Sequence, residues 1–283
     1  MIAREPPPAP CVLKVGGQEL RPGPALEQLV ALVGARREAH RPTVLVHGGG
    51  EEVTDRAEAL GLRSTRQRGQ RITSLPMLEV VLEVLGGRVN SRLVAAFGRG
   101  GIPAQGLTGA AERMLLVSAA GSPPGSLGFV GEPRRVNPAP LDRLLADGVL
   151  PVVAPIGIDR AGQLYNVNAD RAAAAIAGAL SADLWLVTDV PAVRDAGGRS
   201  IEILTPKGAR SLLATGVARD GMIPKLEAAA AALRSGSPRV WIGALADVGP
   251  DGPAPAMGTW YLSETRAMAT PPPLRVRFGS THG

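Results

Sequence analysis

TVLVHGGGEE, residues 43–52, is the stretch that decides the architecture. A short run of β-branched and aliphatic residues ends at His47, three glycines stop it, and a helical run over 51–60 begins at once. A strand that turns through glycines straight into a helix is the unit from which doubly wound α/β sheets are built. The pattern occurs a second time upstream. Residues 12–15 read as a strand, Gly16 and Gly17 end it, and 25–39 read as an amphipathic helix.

The alternation continues outward from these two units. Residues 63–71 are polar and read as a loop or exposed hairpin, and 75–97 as a long helical pattern weakened at Gly86 and Gly87. Residues 104–136 read as short strands and turns, with a break at 121–125. A helix over 138–147 precedes a buried strand over 150–156, a turn and the segment 164–167. An alanine-rich helix spans 172–180, followed by a buried strand over 184–188. Thr205 and Pro206 supply N-cap and first-turn chemistry for a helix to about 215. A further helix over 222–234 and late strands over 239–242 and 259–262 complete the pattern. Asp220 reads equally as a helix N-cap or as a functional group. The expected fold is α/β, a three-layer α/β/α sandwich around a mostly parallel central sheet.

Composition removes several function classes. The chain has 283 residues, 45% of them hydrophobic, enough for a full core. One cysteine and three histidines exclude a disulfide framework and a Cys/His zinc site. No apolar run reaches membrane-spanning length, and the start MIAREPPPAPC has no apolar signal region, so the expectation is a cytoplasmic protein without a membrane role. The net charge of +6 invites a nucleic-acid reading. The eight aromatics are not interleaved with the arginine clusters, which leaves no stacking platforms and favours a solvated basic surface.

The 31 basic residues hold only three lysines, Lys14, Lys207 and Lys225. In so arginine-rich a chain, a retained lysine marks a place where a compact ammonium is needed, unless small-number chance left it there. Ligands of doubly wound sheets bind beyond the carboxyl ends of the strands, where Lys14-Val-Gly16-Gly17 and His47-Gly48-Gly49-Gly50 lie. Bare glycine N–H groups and a helix N-terminus favour an anion there, although strand-to-helix turns also use glycine for steric reasons alone. Standard motifs fail. There is no G-x-x-x-x-G-K-[ST], the third glycine of a dinucleotide fingerprint is replaced by Val53, and the HGGG run has no G-x-S-x-G elbow to accompany it.

What remains is an ordered series: KVGG (14–17), VHGGG (46–50), GQRIT (69–73), VLGGRVN (84–90), LGFVGEPRRVNP (127–138), LPVVAPIG (150–157), YNVNAD (165–170), LVTDVPAV (186–193) and DGMIPK (220–225). The series resembles the amino acid kinase family, and within it the branch that phosphorylates the side-chain carboxylate of N-acetyl-L-glutamate in arginine biosynthesis. The resemblance implies an ATP-dependent kinase with Mg2+ arriving on the nucleotide and no dedicated metal site. It implies that Lys14 and Lys225 lie along the phosphates, with Asp170 holding both. Gly49 and Gly50 match backbone donors near substrate and γ-phosphate, Arg71 the clamp on the α-carboxylate, and Asn166 an amide contact to N-acetylglutamate. Gly16, Gly17, Asp189, Val190, Pro191, Val193, Val217, Ala218 and Arg219 are assigned to the nucleotide. Residues 1–180 become an acetylglutamate-binding and dimerising lobe, 181–263 an ATP lobe, and 264–283, Pro- and Arg-rich without periodicity, a flexible tail.

Lys207, beside a helix start, matches no family position and reads as a surface lysine. His47 reads as a structural hydrogen-bonding residue. Of Arg63, Arg66, Arg68 and Arg71 only the last has a motif match, and the others read as solvated or as attracting an acidic substrate. Ser74, where many relatives carry an acid, and Ala110-Ala111-Glu112 after Leu107-Thr108-Gly109 depart from the pattern near the substrate side. Residues 243–255 replace a more regular strand–loop pattern. The rival readings are a kinase of carrier-protein-bound aminoadipate in lysine biosynthesis, which a basic surface would suit, and a catalytically silent regulatory relative. Intact HGGG and NVNAD argue against the first, and retention of both site lysines against the second. Arginine-inhibited relatives carry an extra N-terminal helix. About ten residues, four of them proline, precede the first strand here, so an arginine-insensitive homodimer is expected.

Overall fold

The structure is a computed structural model and describes residues 9–67, 69–254 and 257–269. Its strands in chain order are β1 Cys11–Val15, β2 Thr43–His47, β3 Arg66–Gln67, β4 Gln70–Arg71, β5 Ala104–Thr108, β6 Leu115–Ala119, β7 Val130–Val136 and β8 Leu150–Ala154. They continue as β9 Ile156–Ile158, β10 Leu164–Val167, β11 Asp183–Val187, β12 Ile203–Leu204, β13 Val240–Gly243, β14 Val248–Gly249, β15 Gly252–Pro253 and β16 Thr259–Tyr261. The helices are α1 Pro24–Glu38, α2 Gly50–Ala59, α3 Leu75–Val81, α4 Asn90–Arg99, α5 Ala139–Ala146, α6 Ala169–Ala179, α7 Pro206–Ala214, α8 Met222–Arg234 and α9 Glu264–Ala269.

Eight strands form the central sheet in the order β12-β16-β13-β11-β1-β2-β8-β5. All neighbours are parallel except the antiparallel pair β13–β16. β1, β2 and β8 are buried at every position, as strands covered on both faces must be. The period of two along β1 divides the core. Leu13 and Val15 pack with Leu29, Val84, Leu93 and Phe97 of one helical layer, while Val12 packs with Ala173, Ile176, Leu226 and Ala229 of α6 and α8. This is the expected three-layer sandwich. Lys14 shares the face of Val12, so the alternation that builds the core also aims it at α6 and α8.

Several local expectations are corrected. The single strand read over 150–156 is two. Pro155 has no N–H for the ladder, and the chain leaves the main sheet there, so that β9 joins β10, β7 and β6 in a small closed barrel. The long helix read over 75–97 is present, and its weak point at Gly86 and Gly87 is a departure from α geometry rather than an end. It runs from α3 through a π-helical segment, Leu82–Val89, into α4. A Cβ on Gly86 would lie 3.1 Å from Ile156 Cδ1, so the glycine serves close packing against β9 rather than a break. α6 starts three residues earlier than read, because the Asn168 side chain accepts the N–H groups of Asp170 and Arg171. Asp220 does not cap α8; it takes φ 44°, and Gly221 is the N-cap. Arg66–Gln67 and Gln70–Arg71 pair as the β3–β4 hairpin, one of the two forms read for 63–71, while Glu264–Ala269 are helical where the sequence has no periodicity. Residues 270–283 and Arg68 lie outside the described residues. Among the described residues no helix is long and apolar enough to cross a membrane.

Candidate active site

Beyond the carboxyl ends of β1 and β2 lies a cleft of about 230 Å³. It is lined by the two glycine turns, the β3–β4 hairpin and the start of α6. Lys14, Gly16, Gly17, Gly49, Gly50, Arg71, Asn166 and Asp170 all border it. Eight residues singled out in four sequence segments therefore meet in one place. Lys225 joins them from the first turns of α8 by its contact with Asp170.

Lys14 Nζ lies 2.9 Å from Asp170 Oδ1, and Lys225 Nζ 3.2 Å from Asp170 Oδ2, with all three side chains nearly buried. Burial opposes ionisation of Asp170, but the attraction of both lysines outweighs it and holds the carboxyl below its usual range. Burial, and then the charge of Lys14, pull Lys225 below the ordinary lysine value against the opposing pull of Asp170. A buried carboxylate between two ammonium groups holds positive charge in place without water.

The glycine loop is fixed from behind. Gly48 N–H donates to Val15 O at 2.8 Å, tying the loop to β1. His47, fully buried, contacts Gly48 O through Nδ1 at 2.8 Å and Asn90 Nδ2 through Nε2 at 3.1 Å. A carbonyl only accepts, so Nδ1 carries the proton and Nε2 accepts from the amide. Burial drives the His47 pKa down to about 4, so the ring is neutral at physiological pH. This fits the structural role read from the sequence. Gly49 takes φ +130° as N-cap of α2, and a Cβ there would meet Leu85 Cδ2 at 2.8 Å. A side chain there would be strained by that φ and would have to displace Leu85. The first-turn N–H groups of α2 have no intrahelical partners and carry the positive end of the helix dipole.

Arg71 is buried, and its Nη2 donates to Gly50 O at 2.6 Å and Thr54 Oγ1 at 2.8 Å, while Nη1 donates to Ser64 Oγ. Burial, and next the neighbouring charge of Arg66, pull its pKa down to about 10, which leaves it charged at neutral pH. Asn166 donates to Thr73 Oγ1 at 3.1 Å, and Thr73 donates in turn to Arg71 O at 2.8 Å.

The residues assigned to the nucleotide divide. Gly16 and Gly17 line the cleft; the others do not. Asp189, Val190 and Pro191 are exposed on the loop after β11, and Arg219 is exposed before α8. Val217 is half-buried there. Val193 and Ala218 are buried in the same apolar cluster, so their side chains act as supports for those two loops. Sequence reasoning did not place Gln70, Val53 and Leu85 in the cleft, and left Arg66 open between a solvated residue and one that attracts an acidic substrate. The β3–β4 hairpin, one of the two forms read for 63–71, brings Arg66 to the cleft. Lys207 is exposed, as read.

The sequence profile of the amino acid kinase family matches residues 9–244. The acetylglutamate kinase of Methanopyrus kandleri is 42% identical over 233 residues, covering 80% of this chain and 91% of that protein. That of Dinoroseobacter shibae is 39% identical over 226 residues, covering 80% and 78%. The solved structure of smu.665 from Streptococcus mutans UA159 is 27% identical, with a TM-score of 0.77 over 89% of this chain and 98% of that one.

Proposed function

The chain belongs to the amino acid kinase family, and on that premise we propose that it transfers the γ-phosphoryl group of ATP to the side-chain carboxylate of N-acetyl-L-glutamate. The product is N-acetyl-L-glutamyl 5-phosphate, an early intermediate of arginine biosynthesis. The observation that carries this reading is the buried Asp170 carboxylate held between two ammonium groups, with Asp170 and Lys14 bordering a cleft whose other charged side chains, among the described residues, are arginines.

Phosphoryl transfer needs positioning and charge stabilisation more than proton transfer. The nucleophile is a carboxylate with an ordinary pKa near ~4.3, already ionised at neutral pH. No general base is required, and neutral, buried His47 is not asked to be one. Lys14 and Lys225 act on the charge that spreads over the migrating group, and Asp170 keeps both ammonium groups aimed. The N–H groups of Gly49 and Gly50 at the start of α2 stabilise the oxygens on the other side. Arg71 holds the α-carboxylate, and Asn166 the acetamido group. The loops around 189–193 and 217–219 take the adenosine.

Mg2+, when it arrives on the nucleotide, neutralises phosphate charge. The described residues offer it no cage. Asp170, the one carboxylate lining the cleft, is committed to two lysines, and no group of three or more His, Cys, Asp or Glu among the described residues fits a metal. The lobe division at 180/181, falling between α6 and β11, belongs to the same proposal. So do cytoplasmic action and a homodimer, for which the open edge of the sheet at β5 offers a pairing surface. Sedimentation equilibrium giving a monomer or a hexamer would overturn the dimer.

Incubation with MgATP and N-acetyl-L-glutamate in the presence of hydroxylamine tests the reaction. Accumulation of the hydroxamate is expected. Its absence, with turnover on a carrier-linked aminoadipate instead, would reject the substrate.

A further inference from the structure

Arg71 is heavily committed. Three of its hydrogen bonds go to Ser64, Gly50 and Thr54, out of the five N–H donors of a guanidinium. Arg66 lines the same cleft and is exposed, and its one hydrogen bond among the described residues is a long one, Nη1 to Gly69 O at 3.4 Å. The two guanidiniums converge. A Cβ placed on Gly50 would lie 3.1 Å from Nη2 of Arg66 and 3.9 Å from Nη2 of Arg71. Among the described residues no carboxylate stands between them, and Asp170, the only acid of these that lines the cleft, is held by Lys14 and Lys225.

Two like charges brought together beside the first turn of α2 form an anion site for which the described residues supply no counterion. The hairpin brings them together by register: Arg66 pairs with Arg71 across β3 and β4. Directly opposed like charges destabilise a strand pair, so the pairing makes sense once an anion is shared between them.

We propose that Arg66 is a second, specificity-determining carboxylate ligand, forming with Arg71 a two-guanidinium clamp on the α-carboxylate of the substrate. Arg71, anchored by its three protein contacts, is the fixed jaw and orients the carboxylate. Arg66, exposed and holding one long hydrogen bond, is the adjustable jaw and supplies the donors that Arg71 has spent on the protein. The clamp selects acids carrying a carboxylate beside the acetamido group over acids that lack one. The inference rests on the reaction proposed above and adds to it a residue outside the GQRIT segment.

The experiment compares wild type, Arg66→Met and Arg66→Lys in the hydroxamate assay. Two ligands are used: N-acetyl-L-glutamate as substrate, and 4-acetamidobutanoate, the same chain without the α-carboxylate, as competitive inhibitor. Arg66→Met is expected to raise the KM for N-acetyl-L-glutamate about 10- to 100-fold, with the loss concentrated in KM rather than kcat. Its Ki for 4-acetamidobutanoate should change less than about 2-fold. Arg66→Lys should recover part of the affinity, because an ammonium restores charge without the fork. Thermal denaturation of each variant checks that the hairpin is intact. An unchanged KM in a folded Arg66→Met overturns the clamp, and so does equal weakening of both ligands. Wild-type protein that makes no hydroxamate overturns the reaction itself, and the clamp with it.

Discussion

At one end of the cleft, Lys14 and Lys225 share a buried carboxylate of the protein's own, at 2.9 and 3.2 Å. At the other end, Arg66 and Arg71 face each other with no carboxylate of the described residues between them. The lysine end has its counterion built in, so its geometry is set before any ligand arrives, which is what a group acting on a transition state requires. The arginine end leaves its counterion to be supplied, which is what a group that recognises an anionic ligand requires. The difference assigns rate to one end and affinity to the other.

Removing the shared carboxylate breaks the comparison most severely. Asp170→Asn leaves two buried ammonium groups without compensation. Loss of one partner of a buried ion pair costs roughly 3–5 kcal/mol, which chemical denaturation would read as a lower midpoint. Turnover should fall with it, by more than either lysine variant alone. Lys14→Ala and Lys225→Ala should each lower kcat about 10²- to 10³-fold, measured by steady-state hydroxamate formation. Full turnover in Lys225→Arg would show that a compact ammonium is not what the position needs.

Acid should act on the loop between the two ends. The unfolded chain protonates His47 near 6.5, the folded one only near about 4. The folded state therefore binds fewer protons through that window, and stability falls as pH drops from about 6.5 to about 4. At about 1.36 kcal/mol per pH unit the loss is roughly 3 kcal/mol. Asp170, whose folded pKa is depressed, adds a loss of the same sign at lower pH. Equilibrium denaturation across this range checks the slope, and a His47→Asn variant should flatten it.

Arg71→Ala should raise the KM for N-acetyl-L-glutamate about 10- to 100-fold with the smaller share of the loss in kcat, read from substrate-saturation curves. Lys207, exposed beside α7, lies at neither end. Lys207→Ala should shift stability by less than about 0.5 kcal/mol and leave both kinetic constants in place.

The lysine end was legible in the sequence and most of the arginine end was not. Lys14 and Lys225 stood out by composition, and each sits where local periodicity is strong, on a buried strand and an alanine-rich helix. Asp170 follows Asn168, a cap whose signal is plain once α6 is known to start there. Arg66 sits in a polar stretch without periodicity, and only the β3–β4 pairing turns it into the cleft. The small barrel was hidden for a related reason. β9 and β10 are three and four residues long, and Pro155 divides one apolar run between two sheets without altering its hydrophobicity. The three-layer sandwich itself was readable, because fully buried parallel strands have a pattern that short barrel strands lack.

Measuring kcat and KM for N-acetyl-L-glutamate side by side in Lys225→Ala and Arg71→Ala tests this division most directly. The account predicts that the lysine variant loses kcat with KM little moved, and that the arginine variant loses affinity with the greater part of its kcat retained. Loss of the same constant in both variants would contradict it.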